Sequence, residues 1–293
     1  MRSHIYNFGS CCIDHVYAVP HFVSPGETLP SNSYDVFPGG KGLNQSLALA
    51  HAGATVTHAG RVGHDGTWLK GLLTEAGVDT TFLDVADGST GHALIQVTPE
   101  GENAIVIHGG TNLTITPQDG ARVLNDARPG DYLLLQNEIS SMSALMTQAN
   151  EKQMRIILNA APMTDALLEY PLDMVDTFIV NRLEGAALSG ETEDAAILDA
   201  MSAKFPGARV VLTLGADGAI CRDASGTHAH PGYKADAVDT TGAGDTFTGY
   251  LVAGMQADMA IEITLDRACR AAAISVSRAG AASSIPRASE LAQ

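Results

Sequence analysis

Basic residues are scarce in this sequence. Its 293 residues include 17 Lys and Arg against 33 Asp and Glu, which gives a formal net charge of −16 at pH 7. Such a charge repels nucleic acids and anionic membranes, so we expect neither as a partner. If a protein of this composition handles phosphate groups, it must concentrate its few positive groups or use Mg²⁺.

Cysteine is also rare, and no apolar run is long enough to span a membrane. No Cys-x-x-Cys spacing occurs, and the ten histidines form no His-Glu-x-x-His motif, so we predict free thiols and no zinc site. The first residues lack the pattern of a signal peptide, which favours a cytoplasmic protein. The four cysteines are Cys11, Cys12, Cys221 and Cys269.

Short apolar runs alternate with helical patterns along the chain. This alternation favours an α/β fold in which helices cover both faces of a mostly parallel sheet. No repeat, low-complexity segment or flexible linker divides the chain, so we predict a single domain over residues 1–293. The predicted buried strands are residues 5–8, 55–57, 132–135, 156–158, 177–180 and 210–214.

Polar residues follow several of these predicted strands. In open α/β sheets, ligands bind at the edge formed by the carboxyl ends of the strands. Any single polar residue at such a place could be an ordinary loop residue or helix cap. Several at equivalent positions indicate a binding edge, and they are Gln136, Glu138, Asn159, Asn181, Thr213 and Gly215.

Two segments break the alternation, at residues 11–36 and 91–109. The first contains Pro20, Pro25 and Pro30, and the second has two alternating runs around a Pro-Glu-Gly-Glu turn. Both are typical of β-hairpins outside the main sheet. They could form a small second sheet, or they could be surface hairpins without a moving part.

The most informative stretch is DTTGAGDTF, at residues 239–247. Gly242, Ala243 and Gly244 are small enough for backbone N–H groups to approach an anion, and an apolar helical run follows. A helix N-terminus carries partial positive charge and unpaired N–H groups, so it can bind a phosphate. We hypothesise that Asp245 is the base that takes a proton from an attacking hydroxyl. The alternative is a tight turn with an acidic helix cap.

A second glycine-rich stretch, FPGGKGLNQ at residues 37–45, precedes another apolar helical run. Its glycines let the backbone approach a small polar ligand, and Asn44 can donate and accept hydrogen bonds, which suits a polyol. Dinucleotide-binding loops share the Gly-x-Gly spacing, but Gln45 occupies the third glycine position. No strand–helix–strand unit with a ribose-binding acid is evident either, so we reject an oxidoreductase.

These two stretches resemble the two signatures of the ribokinase-like (pfkB) carbohydrate kinases. Further matches follow in the family's order along nearly the whole chain, at residues 25–28, 101–103, 213–215 and 278–286. The resemblance implies a ribokinase-like α/β fold with a small β-sheet lid built from residues 11–36 and 91–109. It also implies an ATP-dependent kinase that phosphorylates a primary hydroxyl of a pentose, and a homodimer formed through the lid.

The resemblance assigns roles to individual residues. It makes Asp245 the catalytic base, beside an anion hole formed by Gly242, Ala243 and Gly244. The residues matching sugar contacts are Asp14, Gly39, Gly40, Lys41, Asn44, Glu138 and Asp245. Those matching contacts to ATP are Asn181, Thr213, Gly215, Gly218, Gly242 and Gly244.

The same resemblance implies two cations. Glu184 would hold Mg²⁺ through water, although Asn181 followed by Glu184 is also a capping box. A K⁺ site would combine Asp239, backbone carbonyls near Thr241, Ser275, Arg278 and Gly280, and the Ser284 hydroxyl. The alternative for Asp239 is that it only caps the turn.

Cys12 departs from the family pattern, because similar ribokinases have Asn at this position, two residues before the aspartate that matches Asp14. A thiol replaces an amide poorly as a partner for hydroxyl groups, so the sugar preference stays open. D-ribose is the first expectation, and deoxyribose, another pentose or a nucleoside remain alternatives. A sensor that binds sugar or nucleotide without catalysis is the alternative from another class of function.

Overall fold

Short strands and helices alternate over residues 3–292, the part of the chain described by the computed structural model. The strands are β1 (Ile5–Phe8), β2 (Cys12–Ala18), β3 (Ser33–Gly39), β4 (Val56–Gly63), β5 (Leu83–Ala86), β6 (Gly91–Val97), β7 (Asn103–His108), β8 (Tyr132–Gln136), β9 (Arg155–Asn159), β10 (Thr177–Asn181), β11 (Arg209–Thr213), β12 (Ala219–Asp223) and β13 (Gly226–His230). The α-helices are α1 (Lys41–His51), α2 (Thr67–Glu75), α3 (Pro117–Val123), α4 (Met142–Glu151), α5 (Arg182–Ser189), α6 (Asp194–Lys204), α7 (Ala243–Gln256) and α8 (Ile261–Val276).

The main sheet has nine strands in the order β13-β12-β11-β10-β9-β8-β1-β4-β5. All neighbouring strands from β11 to β5 are parallel, and β12 and β13 add an antiparallel edge. Strand β1 lies between β4 and β8, so the direction in which the chain builds the sheet reverses there. In sheets of this kind, such a switch point opens a crevice at the carboxyl ends of the strands.

Helices cover both faces of this sheet. Successive residues of each strand point to opposite faces, so Ile5 packs in the core beneath α1, α2, α7 and α8, whereas Tyr6 packs in the core beneath α3 to α6. Strands buried on both faces are continuous apolar runs, which is why the central ones are predictable. Strand β4 continues to Gly63, beyond the predicted residues 55–57. The apolar pattern stops at His58, which is polar although it is fully buried.

A second sheet of four strands, in the order β3-β2-β6-β7, lies apart from the main one. It contains the two segments predicted as hairpins, and these are joined because β2 pairs in parallel with β6 along seven residues. Strand β3 extends to Gly39, so the first residues of the FPGGKGLNQ stretch belong to this sheet. The small second sheet of the predicted fold is therefore present.

Helices α7 and α1 cross closely on one face of the main sheet. A Cβ atom on Gly249 would lie 2.3 Å from the Cβ of Ala48, so glycine permits this contact. The crossing places the starts of both helices near the carboxyl end of β1. Among the helices in the described residues, none has both the length and the apolarity needed to cross a membrane.

Candidate active site

The crevice at the switch point is built on the end of β1. A Cβ atom on Gly9 would lie 2.6 Å from the Cα of Gly42, so these glycines let helix α1 begin directly against the strand end. The backbone N–H of Leu43 then donates to the carbonyl of Ser10 at 2.8 Å. This packing aims the first turn of α1 at the carboxyl edge of the sheet.

The chain itself occupies the N–H groups at the start of α1. The helix follows Gly40, whose φ of 91° favours glycine. The N–H of Lys41 donates to the Glu138 carboxylate at 2.9 Å, and the N–H of Gly42 donates to the Ser10 hydroxyl at 3.3 Å. Ser10 in turn donates to Glu138. Because these groups are already paired, the first turn of α1 offers side chains to a ligand.

The start of α7 is open. It follows Gly242, which has a φ of 76°, and the N–H of Ala243 makes only a long bond of 3.3 Å to the carbonyl of Thr240. The N–H groups of Gly244 and Asp245 have no acceptor within residues 3–292. A Cβ atom on Gly244 would meet nothing within 4 Å. Free N–H groups facing open space at a helix N-terminus form an anion site.

Asp245 lies in the first turn of α7 and is only 6% exposed. One carboxylate oxygen, Oδ2, accepts a hydrogen bond from Nδ2 of Asn44 at 3.0 Å, and Oδ1 accepts one from Nε2 of Gln45 at 2.9 Å. The Oδ1 atom of Asn44 is buried without a partner in the described part of the chain. Asn44 thus touches the predicted base and retains an acceptor for a ligand hydroxyl.

Two further carboxylates and Lys41 surround this point. Burial raises the pKa of Asp14 to about 6, and the nearby charge of Glu138 adds to the effect. Burial also raises the pKa of Glu138, although the ammonium group of Lys41 opposes it. The carboxylate of Asp245, followed by those of Glu138 and Glu184, raises the pKa of Lys41. The charge of Lys41 is therefore within electrostatic reach of the predicted sugar residues and of the predicted magnesium residue.

Gly39 has a steric reason to be glycine. It pairs with Cys12 across the second sheet, and a Cβ atom at Gly39 would lie 2.2 Å from a carboxylate oxygen of Asp14. Without that Cβ atom, the Asp14 carboxylate can lie directly over strand β3. Gly39 therefore makes room for the carboxylate of Asp14.

Asn181 and Glu184 form the capping box that the sequence also allowed. Oδ1 of Asn181 accepts a hydrogen bond from the N–H of Glu184 at 2.9 Å, and Oε2 of Glu184 accepts one from the N–H of Asn181 at 2.9 Å. Burial raises the pKa of Glu184, while the charge of Lys41 lowers it. Both residues lie where β10 ends and α5 begins, on the same edge as Asp245.

The remaining predicted nucleotide residues lie at the end of β11. Thr213 donates through its hydroxyl to the carbonyl of Val180 at 3.3 Å, and a Cβ atom on Gly215 would meet nothing within 4 Å. Gly218 has a structural role, because a Cβ atom there would lie 2.1 Å from the carbonyl oxygen of His230. Gly215 therefore borders open space two residues after Thr213, whereas Gly218 allows close packing of a turn.

Asp239 ties two loops together. Its Oδ1 accepts from the N–H of Thr241 and its Oδ2 from the N–H of Gly280, each at 2.9 Å. Burial opposes ionisation, but these hydrogen bonds prevail and lower the pKa of Asp239. The turn-capping alternative is therefore observed. Ser284, four residues after Gly280, is buried, and its hydroxyl donates to the carbonyl of Ala281. Ser275 lies at the end of α8.

Three residues that contact the site residues were not predicted from the sequence: Gln45, Asn7 and Ser10. Gln45 contacts Asp245 directly, Asn7 is fully buried at the end of β1, and Ser10 binds Glu138. A polar residue inside the otherwise apolar strand Ile5–Phe8 was a usable signal for Asn7. The only sequence signal at Gln45 is that it occupies the third glycine position of a dinucleotide-binding loop.

Two clefts of about 550 and 510 Å³ lie at the opposite, amino-terminal edge of the sheet. The first is lined by residues that include Arg155 and Arg209, and the second by residues that include His4 and Asp131. Neither lining contains a predicted site residue. No group of three or more His, Cys, Asp or Glu within residues 3–292 is arranged to hold a metal ion.

The sequence profile of the pfkB family carbohydrate kinases matches residues 2–288, and the chain belongs to that family. The ribokinase of Haemophilus influenzae is 34% identical to this chain over 295 aligned residues, which cover 98% of this chain and 96% of that protein. The predicted family membership is confirmed, and with it the assignment to the carbohydrate kinases.

Solved structures show the same fold. Ribokinase from Cryptococcus neoformans var. grubii serotype A, in complex with ADP, superposes with a TM-score of 0.85 at 33% identity and covers 99% of each chain. Arabidopsis thaliana ribokinase complexed with ribose and ATP gives a TM-score of 0.86 at 27% identity, covering 99% of this chain and 97% of that chain. The predicted ribokinase-like fold is confirmed.

Proposed function

We propose that this protein transfers the γ-phosphoryl group of ATP to the primary hydroxyl of D-ribose, which yields ribose 5-phosphate. The observation that carries the proposal is the position of Asp245. Asp245 belongs to the helix turn whose N–H groups at Gly244 and Asp245 are free, and its carboxylate bonds to Asn44, which retains an unpaired oxygen. The similarity to the Haemophilus influenzae ribokinase, to a ribokinase in complex with ADP and to one complexed with ribose and ATP supports these substrates.

The sugar half of the site consists of acceptors and a cation. Asn44, Asp14 and Glu138 offer oxygen atoms to sugar hydroxyls, and Lys41 offers an ammonium group. Gly39 and Gly40 let the backbone pass close beside them. Since a polyol needs many partners, such a set fits a pentose better than it fits an apolar ligand.

The phosphate half is the open start of α7, with Gly242, Ala243 and Gly244 forming the anion hole. ATP would reach it along Asn181, Thr213 and Gly215. Glu184 is a buried carboxylate within electrostatic reach of Asp245, and it would give Mg²⁺ one carboxylate contact beside phosphate oxygens and water. The bound Mg²⁺ would offset negative charge on the phosphates.

In the reaction, the oxygen of the sugar hydroxyl forms a bond to the γ-phosphorus, and Asp245 accepts the proton of that hydroxyl. The bond from that phosphorus to the β-γ bridging oxygen breaks, and ADP leaves. The N–H groups of α7 donate to the phosphoryl oxygens on which charge accumulates. Most of the acceleration then comes from holding hydroxyl and phosphate in line.

A monovalent cation fits the loops joined by Asp239. Oxygen ligands suit K⁺, and every group proposed to bind it is an oxygen: the carboxylate of Asp239, the carbonyls of Thr241, Ser275, Arg278 and Gly280, and the Ser284 hydroxyl. The Asp239 bonds to Thr241 and Gly280 already connect the anion-hole loop to the end of α8. K⁺ would stiffen that connection.

The second sheet, residues 12–18, 33–39, 91–97 and 103–108, would close over the sugar and pair with a second copy. Neighbouring residues Val106 and Ile107 point to opposite faces of β7 and are 68% and 70% exposed. Exposed aliphatic side chains on both faces suit one face toward the sugar and one toward a partner. Asp14 pairs with Ala93 and Ala93 with Ile107, so Ile107 shares the sugar-facing side and Val106 lies on the other. A homodimer in sedimentation that Val106→Asp dissociates, while Leu168→Asp does not, would support this contact.

One observation favours a second substrate. Cys12 lies beside the sugar acids, since burial and then the charges of Glu138 and Asp14 raise its pKa, and Asn112 donates to its sulfur at 3.5 Å. A thiol there makes weaker hydrogen bonds to a sugar hydroxyl than an amide would. A sugar lacking one hydroxyl, such as 2-deoxyribose, is therefore the second candidate.

The test measures ADP release with Mg-ATP and K⁺ against ribose, 2-deoxyribose, fructose and several nucleosides, with Asp245→Asn as the blank. We expect turnover on ribose that the blank abolishes, and a Cys12→Asn variant that prefers ribose more strongly. Silence with every sugar would contradict the proposal and favour a binding protein without catalysis. A cytoplasmic location and the absence of nucleic acid or membrane partners stay predictions.

A further inference from the structure

A chain of buried amide side chains leads from the base into the core. Nε2 of Gln45 donates both of its hydrogens, one to Oδ1 of Asp245 and one to Oδ1 of Asn159, each at 2.9 Å. Its Oε1 accepts from Nε2 of Gln136 at 2.8 Å, and Gln136 donates again to Oδ1 of Asn7 at 2.9 Å. These residues come from α1, α7 and three neighbouring strands of the sheet.

The bonds allow only one orientation of the Gln45 amide. If it were turned over, its oxygen would face the oxygens of Asp245 and Asn159, and its N–H groups would face the N–H of Gln136. Each of these contacts would set like atoms against each other. Asn159 on β9 and Gln136 on β8 therefore determine that the Gln45 amide directs an N–H group, not its oxygen, at Asp245.

Gln45 differs from the other amide on the base. Asn44 is 5% exposed and retains an unpaired oxygen for a ligand, so its position can change when a sugar binds. Gln45 is 0% exposed, and all of its polar atoms bond within the protein. It contacts the base whether or not a sugar is present.

Burial of an amide is costly unless it is fully hydrogen bonded, and an apolar residue of this size would fill the same space at lower cost. We propose that Gln45 is a positioning residue, which holds Oδ1 of Asp245 so that the carboxylate faces the hydroxyl to be phosphorylated. This inference rests on the proposed function, because the base role of Asp245 belongs to it.

The far end of the same chain supplies a matched control. Asn7 donates to the hydroxyl of Ser46 at 2.7 Å, and Ser46 contacts Nδ1 of the buried His58 at 2.8 Å. Ser46 is 0% exposed, and its hydroxyl forms no hydrogen bond with Asp245 or with the side chain of its neighbour Gln45. Ser46→Ala thus breaks a buried polar contact in the network without removing a donor to the base.

The experiment compares Gln45→Met with Ser46→Ala. Met has a similar length and no donor, so kcat should fall about 100-fold as the carboxylate loses its orientation. KM for ribose and for ATP should change little, because no substrate contact is removed. Both variants should lower the melting temperature by a similar amount, but Ser46→Ala should keep kcat within about 2-fold of the parent enzyme.

A double variant tests the route of the effect. In the Asp245→Asn background, Gln45→Met should cause no further loss of the residual rate, since its effect acts through that carboxylate. A full additional loss would overturn the inference. Equal kcat values for Gln45→Met and Ser46→Ala would overturn it as well.

A crystal structure of Gln45→Met separates this inference from the proposed function. We expect the Asp245 carboxylate to be rotated away from its parent orientation. An unchanged carboxylate would overturn the positioning role, whichever sugar is phosphorylated. A parent enzyme that phosphorylates no sugar would contradict the proposed function instead, and the crystal structure would still decide the role of Gln45.

Discussion

The two helices that begin at the site, α1 and α7, use the same backbone device for different purposes. Each follows a glycine with positive φ, 91° at Gly40 and 76° at Gly242. The first N–H of α1, at Lys41, is bound by the Glu138 carboxylate, whereas the N–H of Gly244 in α7 has no acceptor within residues 3–292. One helix start is therefore closed by the protein and the other is left open.

The difference shows how the chain divides charge between two adjacent helix N-termini. Both carry partial positive charge, and either could attract a phosphate. At α1 the Glu138 carboxylate already offsets the partial positive charge of the helix start, so the site there favours neutral hydroxyl groups. At α7 the positive end remains available to an anion. A site with sugar on one side and phosphate on the other follows from this asymmetry.

The largest expected effect comes from Asp245, which lies where the two helix starts meet. Asp245→Asn keeps the size of the side chain but removes the proton acceptor, so kcat should fall about 1000-fold. ADP release measures the rate, and stabilisation by Mg-ATP in a thermal melt serves as the control for an intact nucleotide site. If the variant retained most of its rate, Asp245 would not be the base.

A pair of glycine substitutions tests the open and closed starts directly. At Gly244, in open space, alanine should leave stability unchanged but block the anion, lowering kcat/KM for ATP about 30-fold. At Gly42, a Cβ atom would lie 2.4 Å from the backbone nitrogen of Ser10, so Gly42→Ala should lower the free energy of unfolding by about 3 kcal/mol.

Urea denaturation and ATP kinetics on both variants provide the measurements. Gly71→Ala in α2 is the matched control, since a Cβ atom there meets nothing within 4 Å and φ is not positive. Gly71→Ala should change the free energy of unfolding by no more than about 1 kcal/mol and leave kcat/KM for ATP unchanged. Loss of folding at Gly244→Ala, with Gly42→Ala stable, would reverse the comparison.

Asp14 on the sugar side predicts a pH dependence. Its pKa is raised to about 6, so its carboxylate becomes protonated below that pH and stops accepting a sugar hydroxyl. We expect kcat/KM for the sugar to fall about 10-fold between pH 7 and pH 5. The Asp14→Asn variant should lack this limb of the profile, while Asp35→Asn, at an exposed position, should keep it.

The same pKa predicts an opposite effect on stability. The folded protein holds a proton on Asp14 that the unfolded chain has released, so the free energy of unfolding falls as pH rises from about 4 to 6 and stays lowered above. Asp14→Asn should therefore raise the melting temperature at pH 7.5 while it weakens sugar binding. A variant less stable than its parent at that pH would contradict the burial of this charge.

The smallest expected effect concerns the loop that supports the open start. Replacement of K⁺ by Na⁺ should lower kcat/KM for ATP about 5-fold, because the cation acts on the loop rather than on the reacting groups. In Asp239→Asn the rate should no longer depend on the cation. Equal rates in K⁺, Na⁺ and tetramethylammonium would leave Asp239 as a turn cap alone.

The sequence by itself determined the family, the central strands and most of the predicted site. Strands such as Ile5–Phe8 are buried on both faces, so their apolar runs are continuous, and β4 was underestimated because His58 is polar yet buried. The glycine signatures are local and therefore visible in the sequence. Where the structure places these signatures, Asp245, Asn44 and Glu138 come together.

Only the tertiary structure decided which helix start is open and which amides hold the base. Asn44 and Asp245 are 201 residues apart, and Gln45 meets Gln136 across 91 residues, so no local pattern signals these contacts. The direction of a hydrogen bond depends on the partner that folding provides. The physical reason is that a buried amide has no preferred role until the groups around it are known.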